Sequence, residues 1–390
     1  MGHTVLERTP GDVSPRGPSA RSSVRMPQGS QSVSRLAASN RAVEPRIIGL
    51  ATCVPPHVLS QENVVAHATE MFAGRFRDFE RMRPVFQNSG IKTRYSVQPV
   101  EWFQHPQDWQ QRTEAYLDGA TALFVDAASK ALANAGLRAD AIDTVVTVSS
   151  TGIATPTLEA RAHQAVGFRS DIRRVPVFGL GCAGGASGLA LASRLARAEP
   201  GSNVLLVVVE TCTLAFRDDS LTKSNIVATA LFGDGAAAAV ISATGGERPG
   251  PKIVASGEHL WPSTLDIMGW NVDPVGFTAV FSSSIPALVR ERMRPAAAAM
   301  LERGGETLDA IETFVFHPGG TKVIEALEPV FGLADGTLSA EREILRDFGN
   351  MSAPTVLFVL ERKMAEGLAG PALLAALGPG FTGSFVRLDA

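Results

Sequence analysis

The stretch ALANAGLRADAIDTVVTV (131–148) aligns without gaps onto MLERGGETLDAIETFVFH (300–317), at an offset of 169 residues. Leu132 meets Leu301, Gly136 meets Gly305, Asp140-Ala141-Ile142 meets Asp309-Ala310-Ile311, and Val146 meets Val315. Chance matches on alanine would not keep the order helix, glycine, DAI, strand. The same offset sets Cys182 against Met351, one residue past Asn350, and strand 204–209 against LLAALG (373–378). A repeated unit buries the same faces twice. The repeat therefore predicts two similar halves whose strand-to-helix junctions face each other across a pseudo-twofold axis.

Local patterns supply the units. RIIGLATCV reads as a first strand, ending before Pro55-Pro56. Residues 60–90 read as helical. An alanine-rich helix is expected over 115–136, closed by Gly136. TVVTVSS (144–150), VPVFGLG (175–181) and NVLLVVVE (203–210) read as buried strands, with a small-residue helix over 183–198. Strands alternating with helices make this an α/β layered protein.

Composition narrows the class. The 390 residues are 45% hydrophobic, enough for a large core. A net charge of -3 asks for no nucleic-acid partner. Three cysteines, Cys53, Cys182 and Cys212, are too few for a disulfide framework and point to a reducing, cytoplasmic setting. No run of about 18 apolar residues marks a transmembrane helix, and no apolar stretch after the first charges marks a secretory signal. Residues 1–45 are rich in Ser, Arg, Pro and Gly and are expected to be a disordered tail, although their Arg and Ser content also resembles a transit peptide. The halves are then 46–245 and 246–390.

Three residues stand out chemically. Cys182, in GLGCAGGASGL, lies where a strand gives way to a helix. Free N–H groups and the helix dipole there favour a thiolate, the species that takes an acyl group from a thioester. A buried cysteine is otherwise a packing residue. His317 ends TFVFH before Pro318-Gly319-Gly320, opposite Val148 in the repeat, and so faces the shared seam unless it is merely structural. Asn350, in FGNMSAP, is either a helix N-cap or an amide pointing into the Cys182 pocket. Together the three residue types fit decarboxylative condensation. The cysteine carries an acyl chain, and imidazole and carboxamide donors hold the thioester oxygen of malonyl-CoA as CO2 leaves. A nearby imidazolium would help form the thiolate. Neither zinc-type spacing nor a GxxxxGK[ST] loop is present.

GLGCAGGASGL, ALFGDGAAAAVI, FHPGGTKVIEALE, GNMSAPTVLFVLER and LGPGFTGSF stand in the order seen in type III polyketide synthases, the chalcone and stilbene synthase family. PRIIGLATCVPPHVLSQENV and GIKTRYSVQP resemble that family's N-terminal stretch, so the likeness covers about 46–390. The resemblance implies a thiolase-like duplicated αβαβα fold, a homodimer, and acyl-CoA and malonyl-CoA as substrates with no cofactor.

Carried over by motif, Cys182 is the nucleophile and His317 and Asn350 the decarboxylation pair. Phe232, in ALFGDG, is the gatekeeper between CoA tunnel and reaction cavity, or else plain core. Arg81, in FERMR, meets the CoA phosphates, or is a solvated charge. Gly378, Pro379 and Gly380 shape the cavity floor, and Ser352 lines the cavity. Thr155, before Pro156, takes the place of a partner-subunit methionine of plant members.

The segment GWNVDPVGFTAVFSSSIP (269–286) looks like bacterial members. It puts Ala279 where plant enzymes have a bulky second gatekeeper, which implies a wider pocket and fatty acyl starters yielding alkylresorcinols or alkylpyrones. Ser150 stands where the tetrahydroxynaphthalene-forming subgroup tends to have a cysteine, which disfavours that product. The alternatives are a ketoacyl-ACP synthase of the fatty-acid-initiating kind, a papain-like hydrolase and a non-catalytic thiolase-fold acyl-binding protein.

Overall fold

A computed structural model describes residues 44–245 and 248–390. The expected tail falls outside the described residues, apart from Glu44 and Pro45. Nine strands carry the architecture: β1 (Arg46–Cys53), β2 (Thr144–Val148), β3 (Arg173–Val177), β4 (Asn203–Thr211), β5 (Asp234–Ser242), β6 (Lys252–Leu260), β7 (Thr313–Phe316), β8 (Pro371–Gly378) and β9 (Thr382–Asp389). They form one sheet in the order β7-β8-β9-β6-β1-β5-β4-β2-β3.

The repeat is visible in the strand pairing. In the first half β1 runs antiparallel to β5, β5 antiparallel to β4, and β4 parallel to β2. In the second half β6 runs antiparallel to β9, β9 antiparallel to β8, and β8 parallel to β7. The central strands are buried on both faces, which is why they read as unbroken apolar runs. Two features break the symmetry. The offset maps β3 onto residues inside a helix, Ser339–Phe348, so the second half lacks that edge strand. Residues 212–233 intervene between β4 and β5, whereas three residues join β8 to β9.

Six helices matter for the site: α1 (Trp109–Asn134), α2 (Gly184–Ala198), α3 (Lys223–Leu231), α4 (Ile285–Glu302), α5 (Thr321–Val330) and α6 (Thr355–Ala365). Helix α1 starts six residues before the expected position. Asp108 and Gln111 form a reciprocal capping box there, and Gly136 adopts a left-handed φ of 63° just past the end. It covers β1, β5 and β4, and α4 covers β6 and β9. Helices α2 and α6 lie between the halves. α2 touches β4 and β2 as well as β9 and β6; α6 touches β7 and β8 as well as β1 and β5. The result is the layered αβαβα arrangement.

α2 and α6 meet at their N-termini. A Cβ on Gly184 would lie 3.1 Å from Cβ of Ala353, and Ala353 is its own repeat counterpart at the 169-residue offset. Equivalent residues touch only on a symmetry axis, so the pseudo-twofold passes here. A Cβ on Gly185 would sit 2.3 Å from the Ala353 carbonyl oxygen. Gly185→Val is therefore expected to cost about 3 kcal/mol in urea unfolding. Gly245→Ala, where no atom lies within 4 Å of the added carbon, is expected to cost little. Equal midpoints for the two variants would show that the helices separate at no cost.

Candidate active site

Cys182 lies in a short 3-10 turn, Gly181–Ala183, that runs straight into α2. Gly181 has a φ of 46°, and a Cβ there would strike the Pro379 ring at 2.7 Å. A Cβ on Gly378 would meet the Leu180 carbonyl oxygen at 2.6 Å. The Gly378-Pro379-Gly380 loop thus clamps the nucleophile turn from behind and is absent from the wall of the cavity described below. Ser150 holds the turn from the other side: its Oγ accepts the Gly179 and Gly181 N–H groups at 3.1 and 3.2 Å. It is buried and positions Cys182. Thr155 lies on an exposed loop.

His317 follows β7 by one residue, and its N–H donates to the Ala375 carbonyl at 2.9 Å. Its ring is buried, and neither ring nitrogen has a hydrogen-bond partner among the described residues. Asn350 is not a helix cap, because α6 begins five residues later behind Pro354. Its Oδ1 accepts the Ser352 N–H at 2.8 Å and its Nδ2 donates to the Gly319 carbonyl at 3.2 Å. That fixes the amide with one N–H left over. Ser352 holds a φ of 61°, the left-handed strain typical of a functional turn.

Asn350 is also locked to Phe232, the expected gatekeeper, which is buried and is not among the residues lining the cavity described below. Its N–H donates to the Leu231 carbonyl at 2.9 Å, and Gly233 N–H donates to its carbonyl at 3.1 Å, on either side of Phe232. The Phe232 ring packs 5.7 Å from Trp270 and 5.5 Å from Phe281, both on the hairpin Met268–Val272/Phe277–Phe281. Ala279 stands directly across that hairpin from Trp270 and packs in the same cluster as Phe232. Its small side chain makes room for the indole. The expected widening at this point is therefore filled, and Ala279 does not reach the cavity wall.

Several residues needed here escaped the sequence reading. Arg94 is fully buried and donates to the Thr229 and Phe232 carbonyls at 2.6 and 2.9 Å, holding the gatekeeper turn. Asp234 accepts from Thr213 N at 2.7 Å and Val97 N at 2.9 Å, which gives the FGDG aspartate a structural task. Both lie in quoted motifs, but nothing local distinguishes a buried arginine from a surface one.

Cys182, His317 and Asn350 line one cavity of about 470 Å³. Arg81 and Lys322 stand on its wall, with Val227, Leu231, Gly319 and Gly320 also lining it. Burial raises the Cys182 thiol to about 11, although hydrogen bonds with Ser352 and Asn350 pull it down, and burial lowers the His317 imidazole to about 3. The expected resting thiolate is thus opposed by desolvation. Moving a proton from Sγ to the imidazole makes a charge pair without net charge, and the low dielectric that penalises a single charge strengthens the pair. His317→Gln tests the imidazole as that acceptor. Iodoacetamide labelling of Cys182 is then expected to need a higher pH than in the parent protein. Superimposable pH profiles would show that the imidazole does not accept the proton.

Among the described residues no helix is long and apolar enough to cross a membrane. The family model for chalcone and stilbene synthases, N-terminal domain, matches residues 31–245, and that for the C-terminal domain matches 252–385. The chain is 37% identical to 1,3,6,8-tetrahydroxynaphthalene synthase of Streptomyces peucetius subsp. caesius, over 88% of this chain and 92% of that protein. It is 31% identical to an alpha-pyrone synthesis polyketide synthase-like protein of Mycobacterium tuberculosis, over 86% and 88%. The crystal structure of 1,3,6,8-tetrahydroxynaphthalene synthase from Streptomyces coelicolor A3(2), a bacterial type III polyketide synthase, superposes with a TM-score of 0.83 at 28% identity, covering 88% of this chain and 99% of that one. With its duplicated layered fold and both family domains matched, the chain belongs to the chalcone and stilbene synthase family: it is a type III polyketide synthase, an acyltransferase acting on CoA thioesters without a further cofactor.

Proposed function

We propose that this synthase loads a fatty acyl group from acyl-CoA onto Cys182, extends it with malonyl-CoA, and cyclises the product to an alkylpyrone or alkylresorcinol. The observation that carries this reading is the cavity itself. It joins two basic side chains, Arg81 and Lys322, to a buried cysteine through a mostly apolar passage. That suits a ligand with phosphates at one end and a hydrocarbon at the other.

The steps follow from the residues. Cys182 Sγ gives its proton to His317 and attacks the acyl thioester; the S–C bond to CoA breaks, and CoA leaves with a proton. Malonyl-CoA then enters. His317 and the free N–H of Asn350 donate to its thioester oxygen, CO2 departs, and the enolate so formed is held. Its carbon attacks the acyl-cysteine carbonyl and expels Cys182 as thiolate, which takes up a proton. The product is a β-ketoacyl-CoA, two carbons longer. Residues 46–245 supply the nucleophile and residues 246–390 the donors.

Two further readings accompany this one. A homodimer is supported by β3, an edge strand with no neighbour on its outer side among the described residues, flanked by exposed Ile153 and Phe178. A reducing cytoplasmic setting is supported by three free, buried cysteines. The 37% identity to a tetrahydroxynaphthalene synthase favours a competing product class. Isotope-labelled malonyl-CoA offered with a range of acyl-CoA starters separates the two by mass. The fatty acyl reading expects labelled products that retain the starter's alkyl chain. Label appearing in a product from malonyl-CoA alone, with no starter incorporated, would overturn it in favour of the naphthalene type.

A further inference from the structure

The 470 Å³ cavity does not end at Cys182. Beyond the catalytic residues its wall continues through Met268, Ile285, Met293, Phe316, Leu327 and Leu377. Five of them belong to the apolar cluster under α4 and α5, on the opposite side of the second-half sheet from the layer shared by α2 and α6, and the half-buried Met268 packs against it. Neighbouring strand residues confirm the change of face. Ala375 and Leu377 belong to this outer cluster, whereas Ala376 between them belongs to the inner one. Ile285 and Met293 lie on one stripe of α4, eight residues or about 12 Å apart along the helix axis. Among the described residues the charged or titratable side chains of the wall are Arg81, Lys322, His317 and Cys182, and none belongs to this inner part. Two of the six are methionines, whose flexible thioethers conform to ligands of varying shape.

We infer that this inner branch, between α4, α5 and the end of β8, receives the alkyl chain of the starter, and that Met293 sets its length limit. The inference deepens the fatty acyl reading above and rests on it. It places the chain away from Ala279, where Trp270 fills the space. A chain leaving the Cys182 thioester past Leu377 enters a predominantly apolar surface, where each methylene withdrawn from water favours transfer a few-fold until the branch is full.

The test reads the acyl adduct on Cys182 by intact-protein mass, without malonyl-CoA, using butyryl-, octanoyl-, dodecanoyl- and palmitoyl-CoA. In Met293→Phe, transfer from the two longest donors is expected to fall about tenfold or more relative to butyryl-CoA. In Met293→Ala the optimum is expected to move toward longer chains. Ala279→Phe is expected to leave the length profile unchanged. If Met293→Phe proves unstable, the opposite shift in Met293→Ala carries the test. Length profiles of both Met293 variants parallel to the parent's, or a profile that responds to Ala279→Phe alone, would overturn the inference. Adducts that form with the expected length dependence but yield no labelled product with malonyl-CoA would overturn the condensation reading and leave the pocket standing.

Discussion

Two helix N-termini meet at the centre of this protein with almost no side chain between them. Gly184 and Gly185 of α2 lie against Ala353, just before α6, so closely that any larger residue at 185 would strike backbone. That contact sets the distance between the halves. Cys182 stands two residues before α2, and Asn350 five residues before α6. Bringing the helix starts together therefore brings the two functional residues together, although 168 positions separate them along the chain. His317 joins them from the end of β7, the strand that repeats β2. The glycines and alanines here are small because backbone must approach backbone.

The asymmetry between the halves matters as much as the symmetry. The first half alone carries residues 212–233, and that insertion ends in α3 and Phe232. The backbone of Asn350 then pairs with residues on both sides of Phe232, so one insertion supplies Phe232 and the cavity-lining Leu231, and the second half fixes them in place. Buried Arg94 completes the lock through two carbonyl oxygens. Its own desolvation, which lowers the guanidinium to about 9, is part of the cost of that rigidity.

Much of this was legible in the residues. The repeat predicted duplicated pairing because it preserves helix, turn and strand, and the strand-to-helix setting of Cys182 followed from its glycines. The start of α1 was missed because its first turn is polar, and the Asp108–Gln111 capping box outweighs weak hydrophobic periodicity there. Ala279 was misjudged for a different reason. A small residue widens a pocket only if its neighbours leave the space empty, and its neighbour Trp270 is identified by hairpin register, which single-sequence pattern does not supply. Ser150 holds the nucleophile turn through its hydroxyl and the Gly378-Pro379-Gly380 loop by close approach, and both contacts join residues too far apart in the chain for local pattern to pair them.

The central claim is a division of labour: a sulfur from one half binds the acyl group, while an imidazole and a carboxamide from the other hold the enolate. Release of CO2 from malonyl-CoA, followed as acetyl-CoA formation in the absence of any starter, separates the two tasks. The account predicts that Cys182→Ala still decarboxylates malonyl-CoA, while His317→Ala loses the activity by about a hundredfold or more. Decarboxylation abolished in the cysteine variant and retained in the histidine variant would contradict it.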